Sequence, residues 1–262
     1  MRAIDSTATF WRDPVLPHIV TRRACHSRAC YKAHSHPTFS IGAVDAGGSV
    51  FTGSGDAAVR LAPGSLVLVP AACVHACNPL PDMAWSYQML HLDAQWLQQH
   101  APALDGDTAR VLECAVLYAQ FCAMNALLFS SSSAQEKDAA LLAFLGACAG
   151  TAADALPSAR KQVPQQLAPV LAALEAQPLA NLQQLAQVAG LSRYQLIRAF
   201  RAATGMTPHA YQLNAHINRA RSGLQSGTAL AQLAHELGFA DQSHFQRVFK
   251  AHAGITPGRY RS

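Results

Sequence analysis

The sequence predicts an α+β chain: a small N-terminal β-barrel followed by helices, then an all-α C-terminal region of two helix-turn-helix units. Three observations carry this. Between residues 18 and 92, short apolar runs alternate with Gly, Pro and Asp turns. From Asp107 onward the apolar residues recur at helical spacing. Near the C-terminus one segment occurs twice, as "LQQLAQVAGLSRYQLIRAFRAATGMTPHAY" (182–211) and "LAQLAHELGFADQSHFQRVFKAHAGITPGRY" (230–260).

A chain of 262 residues, half of them hydrophobic, is long enough for two domains with substantial cores. The longest apolar stretch, Ala115 to Phe129, is short for a membrane span and contains Gln120 and Asn125. The first residues, "MRAIDSTATFWRDP", lack the apolar core of a signal peptide, so the expectation is a soluble, cytoplasmic protein. Seven cysteines are present, at 25, 30, 73, 77, 114, 122 and 148, with no CxxC pair. An odd count without a secretion signal argues against a disulfide framework. Cys114, Cys122 and Cys148 fall in Ala/Leu-rich pattern and read as buried thiols.

The barrel is expected within residues 1–105. Its clearest strands are "TFSIGAV" (38–44), "SLVLVP" (65–70) and "WSYQMLHL" (85–92). Residues 106–150 read as helical: "DTARVLECAVLYAQFCAMNALLF" and "AQEKDAALLAFLGACAG", split by four serines at 130–133. They either carry a dimer contact or pack across their own chain. Residues 151–162, with Pro, small and charged side chains, read as a linker. The helical C-terminal region covers 163–262 and begins with "VPQQLAPVLAALEAQP" (163–178).

Within the repeat, Leu182, Leu185, Ala186, Gly190 and Leu191 match Leu230, Leu233, Ala234, Gly238 and Phe239; one residue is then inserted. Arg198, Phe200, Arg201, Gly205, Thr207, Pro208 and Tyr211 match Arg247, Phe249, Lys250, Gly254, Thr256, Pro257 and Tyr260. Each copy has the physics of a helix-turn-helix. Leu-x-x-Leu-Ala lines the buried side of a short helix. Gly190 and Gly238 stand where the chain must leave that helix with positive φ. Ser192 and Asp241 suit the N-caps of the second helices. Thr-Pro starts a further helix after Gly205, and a brief terminal turn after Gly254. On the second helices Leu196, Ala199, Phe200 and Ala203, then Phe245, Val248 and Phe249, form apolar stripes. Tyr194, Ile197, Arg198 and Arg201, and Gln242, Ser243, Gln246, Arg247 and Lys250, occupy the other faces.

Charge is distributed to match. From Arg160 on there are eleven Lys/Arg against three Asp/Glu, or +8; before it nine against twelve, or −3. The C-terminal region alone suits a polyanion partner.

Residues 163–262 resemble the DNA-binding region of the AraC/XylS family of bacterial transcription regulators, most specifically in "LAHELGFADQSHFQRVFKAHAGITPGRYR". The resemblance implies two helix-turn-helix units joined by a long helix (208–225), with both recognition helices reading one face of double-stranded DNA. By family position Tyr194, Ile197 and Arg198 reach bases from the first unit; Gln242, Ser243, Gln246 and Arg247 do so from the second. Arg193, Arg201, His244 and Lys250 are placed for backbone or groove-edge contact. Ile197 departs from the usual polar choice and suits a thymine methyl or packing. A homodimer and contact with RNA polymerase at promoters are further implications.

"HSHPTFSIGAVDAGG" and "LAPGSLVLVPAACVHACNP" resemble the cupin-like effector domain of these regulators. His34 and His36 would share one strand face, and His75 follows where the cupin pattern places its later His. The three imidazoles are expected to hold a divalent metal or to hydrogen-bond an anionic small-molecule effector. Cys30 shares the strand parity of His34; Cys73 and His91 lie in candidate strands. The Glu of the cupin enzyme pattern is missing from Pro37 to Ile41. The sequence therefore reads as an effector-controlled transcription regulator with no catalytic residue. A metal-dependent cupin enzyme fused to a DNA-binding domain is the alternative.

Overall fold

The computed structural model describes residues 7–53, 58–152, 163–175 and 180–261. The linker read at 151–162 lies outside the described residues from 153 on, as does the end of the helix read over 163–178. Contacts divide the chain into two units: Met1–Ala29 with His36–Arg160, and Cys30–Ser35 with Lys161–Ser262.

The first unit contains β1 (Thr7–Arg12), β2 (Ile19–Ser27), β3 (Phe39–Ala46), β4 (Ser49–Thr52), β5 (Val59–Leu61), β6 (Ser65–Val69), β7 (Ala76–Pro79) and β8 (Trp85–Leu92). After α1 (Ala94–His100) come β9 (Arg110–Glu113), α2 (Ala115–Leu128) and α3 (Ala134–Ala152). The runs at 38–44, 65–70 and 85–92 are β3, β6 and β8. The first strand, β1, precedes the stretch that reads as β. The helix expected from Asp107 begins eight residues later, because Val111 and Leu112 pair with Val67 and Leu66 at the sheet edge. Four residues are too few for helical and extended periodicity to be told apart.

A six-stranded sheet, β1-β2-β8-β3-β6-β9, packs against a three-stranded one, β5-β4-β7. Their strands alternate in side-chain direction. Outward-facing Ile19, Ile41, Leu66, Leu68, Leu90 and Leu92 form a core with α1, α2 and α3. Inward-facing Val44, Val67, Val69, Trp85 and Tyr87 meet Phe51 and Leu61 of the smaller sheet.

A chain of buried polar groups fixes α2 on the sheet. Thr21 Oγ1 donates to Asn125 Oδ1 at 2.7 Å, and Asn125 Nδ2 donates to Gln88 Oε1 at 2.6 Å. Gln88 Nε2 donates to Asp45 Oδ1, which also accepts from the Tyr118 hydroxyl, both at 2.9 Å. Burial first, then hydrogen bonds to Cys122 and Asp45, push the Tyr118 hydroxyl upward in pKa. Thr21 and Asn125 are fully buried, so neither can recruit water in exchange. Asn125→Leu is expected to lower stability by about 1–2 kcal/mol by orphaning Thr21 and Gln88, read as a reduced midpoint in urea.

The second unit opens with a 3-10 turn at Gln165–Leu167 and α4 (Ala168–Glu175). It continues with α5 (Leu182–Val188), α6 (Arg193–Thr204), α7 (Pro208–Gln225), α8 (Leu230–Glu236), α9 (Gln242–Ala253) and α10 (Pro257–Arg261). Each helix pair has its own core. Leu167, Val170 and Leu174 cover Leu185, Ala186, Leu196 and Phe200 in one. Ile217, Ala220 and Leu224 of α7 cover Leu233, Ala234, Phe245 and Phe249 in the other.

The turns match in detail. Gly190 has φ +65° and Gly238 φ +73°. The next amide, of Leu191 or Phe239, reaches back to Ala186 O or Ala234 O at 2.9 Å in both cases. The inserted Ala240 lies in the second turn, so α5 and α8, and α6 and α9, keep equal lengths.

Residues 30–35 correct one expectation. The stretch from His34 to His36 is not a strand: His34 sits in an isolated bridge and His36 in a loop. The Ser35 amide donates to Asn214 Oδ1 at 3.2 Å, and its carbonyl accepts from Asn218 Nδ2 at 2.9 Å and Asn214 Nδ2 at 3.3 Å. Backbone groups bound to α7 side chains cannot serve a sheet ladder, and Pro37 has no N–H to offer one.

Two buried imidazoles lie around the second core. Burial, then Arg219, holds His216 below its ordinary value of 6.5. Burial lowers His252 likewise, reinforced by Lys32 and Arg221 against a hydrogen bond to Val248 O. Each folded pKa is below the unfolded one, so the unfolded chain binds more protons near the ordinary value. Stability of the second unit is therefore expected to fall as pH drops through about 6.5, and His252→Gln to flatten the dependence of melting temperature on pH.

Candidate functional site

On α6 the buried side is Leu196 and Phe200, both 0% exposed. That fixes the rotation of the helix and turns Arg193, Tyr194, Arg198 and Arg201 to solvent. Tyr194 is 69% exposed, and the Arg198 guanidinium stacks over its ring at 5.6 Å. Ile197 is half-buried. Ser192 caps the helix: its Oγ accepts from the Gln195 amide at 3.3 Å, and Gln195 Oε1 accepts from the Ser192 amide at 3.0 Å. Gln195 completes this capping box and was legible as the third residue after Ser192.

The second helix repeats the plan. Phe245 and Phe249 are fully buried, so Gln242, Ser243, Arg247 and Lys250 are exposed and Gln246 half-buried. Asp241 caps α9, accepting from the His244 amide at 2.6 Å. The His244 ring leans edge-on against Phe239 at 5.4 Å and is half-buried. Neither α6 nor α9 contains an Asp or Glu. Both outer faces are thus donor-rich and cationic, the chemistry that meets phosphates and base edges in a major groove.

In the first unit the imidazoles of His36, His75 and His91 converge. His36 lies 5.2 Å from His75 and 5.1 Å from His91, centroid to centroid. His75 Nδ1 is 3.0 Å from Cys73 O. A carbonyl only accepts, so Nδ1 carries the proton and Nε2 the lone pair. Gly53, at φ +133°, allows this approach: a Cβ there would meet His75 Cβ at 2.8 Å. His91 Nδ1 is 2.8 Å from Ser40 Oγ. His34 lies in the 30–35 segment, with Nδ1 2.7 Å from Lys32 O, which sets the same tautomer as in His75. Cys73 is half-buried in a loop and Cys30 is exposed outside any strand, so neither keeps the strand position expected of it. None of the seven cysteines is joined in a disulfide. Cys148 is buried, whereas Cys114 and Cys122 are only half-buried. Burial pushes Cys77 to about 11 and Cys148 to about 12.

Comparison with known families matches this two-part geometry. Residues 16–146 match the model of the AraC-like ligand binding domain, and residues 185–262 match that of a helix-turn-helix domain. The chain belongs to the AraC family. It is a DNA-binding transcription regulator with an N-terminal ligand-binding domain. The uncharacterized HTH-type transcriptional regulator YbfI of Bacillus subtilis (strain 168) is 25% identical over 92% of this chain and 90% of its own length. HTH-type transcriptional regulator MtrA of Neisseria gonorrhoeae is 32% identical over 31% of this chain and 27% of its own length. Among solved structures, an apo variant of ToxT from Vibrio cholerae strain SCE256 superposes with a TM-score of 0.60 at 13% identity, covering 93% of this chain and 97% of ToxT. At that identity the likeness shows a shared fold. No described helix is long and apolar enough to cross a membrane.

Proposed function

We propose that α6 and α9 are the recognition helices of an operator-binding regulator whose DNA affinity is set by a small molecule in the first unit. The carrying observation is the doubled, acid-free helix face, built over equal cores with equal turns. Tyr194, Ile197 and Arg198, and Gln242, Ser243, Gln246 and Arg247, are assigned to base edges. Arg193, Arg201, His244 and Lys250 are assigned to phosphates and the groove rim. The 18 residues of α7 span about 27 Å, a length suited to holding two reading heads roughly one DNA turn apart. The test is selection of fragments from the source genome by the purified protein. Enrichment of a few fragments sharing a bipartite site is expected. Retention no better than random DNA, with and without metabolite extract, would overturn the reading.

We further propose a homodimer contact through α2 and α3. Their outer residues Val116, Ala119, Ala123, Leu142, Ala143 and Gly146 are exposed and uncharged, a face suited to a second copy. RNA polymerase at the promoter is the expected further partner, and the cytoplasm the site of action. Catalysis is not part of the proposal, in keeping with the relative that matches 92% of this chain, which is named a transcriptional regulator.

His34, His36 and His75 are assigned to a divalent ion on their sequence positions. The carbonyl-bound Nδ1 of His34 and of His75 leaves Nε2 as the ligating atom, the usual arrangement for metal-bound histidine. The fit favours a borderline ion such as zinc, with effector binding to the remaining position. Protein purified without an affinity tag is expected to carry about one equivalent of metal, and His75→Ala to carry none. Metal-free wild-type protein, with His75→Ala responding normally to effector, would remove these imidazoles from the site.

A further inference from the structure

We infer that Ile197 makes the first helix-turn-helix a reader of the C5-methyl group of thymine, beside a guanine taken by Arg198, whereas Gln246 at the same place in the second reads adenine. This rests on the recognition-helix reading above and adds the bases that each helix selects.

The repeat makes the two helices comparable residue by residue. α6 and α9 are each 12 residues long, start on a side-chain cap and end on a left-handed glycine, Gly205 at φ +78° and Gly254 at φ +74°. Their buried residues fall at the same steps: Leu196 and Phe200 in one, Phe245 and Phe249 in the other, all 0% exposed. Ile197 therefore holds the place in α6 that Gln246 holds in α9. Arg198 likewise matches Arg247, and Tyr194 matches Ser243. Cores at equal steps give both helices the same rotation, so matched residues lie at matched places on the outer face. The chemistry at those places differs. Gln246 offers an amide, and Ile197 a branched hydrocarbon.

Ile197 is not spent on the core. The described residues packed on the buried cluster of the first helix pair include Leu191, Ala199 and Ala203, but not Ile197. It is half-buried on the side that carries Tyr194, Arg198 and Arg201, all three exposed. A helix seated in a groove takes such a side chain out of water. Against a base edge of donors and acceptors, isoleucine would strip hydration and return no hydrogen bond. The major-groove edges present one apolar group, the C5-methyl of thymine. Contact with that methyl buries hydrocarbon on both partners and orphans no polar atom.

Arg198 supplies the neighbouring contact. Its guanidinium lies over the Tyr194 ring at 5.6 Å. Stacking fixes the guanidinium plane, and that plane carries the paired N–H groups that fork onto guanine O6 and N7. Tyr194 is then a positioning residue for Arg198. Because Arg198 directly follows Ile197, the guanine and the thymine belong to neighbouring base pairs. On α9 the amide of Gln246 suits adenine N6 and N7, next to the guanine of Arg247. The two half-sites therefore differ in kind, one methyl-dependent and one read by hydrogen bonds throughout. That difference gives the operator a direction, which two identical reading helices would not.

The experiment selects duplexes from a random library with the full chain, with and without a metabolite extract, and measures affinities for the selected site by fluorescence anisotropy. Arg198→Ala marks the half-site of α6 by the guanine at which preference relaxes. Deoxyuridine in place of the neighbouring thymine removes only a methyl group, and is expected to weaken wild-type binding about 3–10-fold. 5-Methylcytosine at that position should bind better than cytosine. Ile197→Ala should bind the thymine and uracil duplexes alike, and Ile197→Gln should select adenine there. In the half-site marked by Arg247→Ala, deoxyuridine should change affinity by less than about 2-fold, and Gln246→Ile should exchange adenine for thymine. If the Ile197 variants do not fold by circular dichroism, the uracil series on wild type still decides. The methyl reading would be overturned, with DNA recognition left standing, by an α6 half-site lacking thymine or by wild-type indifference to uracil there. A uracil penalty that folded Ile197→Ala keeps in full, or one of equal size in the other half-site, would overturn it as well. Retention of no sequence above random under either condition would overturn the recognition helices themselves.

Discussion

Phe249→Ala is expected to lower the stability of the second unit by about 3–5 kcal/mol and to abolish operator binding at physiological temperature. Phe249 is fully buried, with Phe245 at 5.8 Å and Tyr260 at 5.4 Å around it. Truncation removes a large apolar group and leaves a cavity that three elements, α7, α9 and α10, would have to collapse to fill. Domains of this size are stable by on the order of 5–15 kcal/mol in total, so the loss is a large share. A thermal melt followed by circular dichroism gives the measurement. Phe249→Leu, which keeps most of the volume, should retain folding and binding. Tyr194→Ala provides the contrast: its ring is 69% exposed, so stability should move by less than about 0.5 kcal/mol while DNA binding weakens. Equal melting of Phe249→Ala and wild type would mean that the second helix-turn-helix is not braced as described.

The second unit was the more legible half, for a physical reason. Its turns demand positive φ, its helices demand caps, and its cores demand fixed apolar spacing, so Gly190, Ser192, Leu196 and Phe200 and their partners in the repeat each announce a local constraint. The structure places every one of them as those constraints require. In the first unit the strands with strong alternation were readable, but their partners were not. Register is a long-range property, and nothing local to Thr7–Arg12 or Arg110–Glu113 says which strand each will join. The imidazoles show both outcomes. His36 and His75 were expected together from motif resemblance and lie 5.2 Å apart. His34 was placed by strand parity, yet Ser35 bonds to α7 side chains and the strand does not form there. Asn125 stood out only as a polar residue in an apolar helix. Its role, joining Thr21 to Gln88, depends on strands distant in sequence.

Arg247→Ala is expected to cost about 1–3 kcal/mol at the operator, or roughly 10–100-fold in affinity, and to relax preference at one base pair. The expectation follows from where the side chain sits. Arg247 is exposed on α9, between core residues Phe245 and Phe249, which hold the helix in one rotation. Its truncation leaves both cores intact, so melting should be unchanged and the whole effect should appear in binding. Arginine on such a helix forks onto the O6 and N7 of guanine, and alanine leaves those acceptors to water. Lys250, one turn further along, is assigned to the phosphates instead. Lys250→Ala should weaken operator and random DNA alike and reduce the slope of log affinity against log salt by about one. Binding of each variant to the operator, to a library of single-base substitutions and to random duplex, at several salt concentrations, separates the two roles. Unaltered discrimination in Arg247→Ala, or a sequence-dependent loss in Lys250→Ala, would show that α9 enters the groove in a different rotation from the one its core imposes.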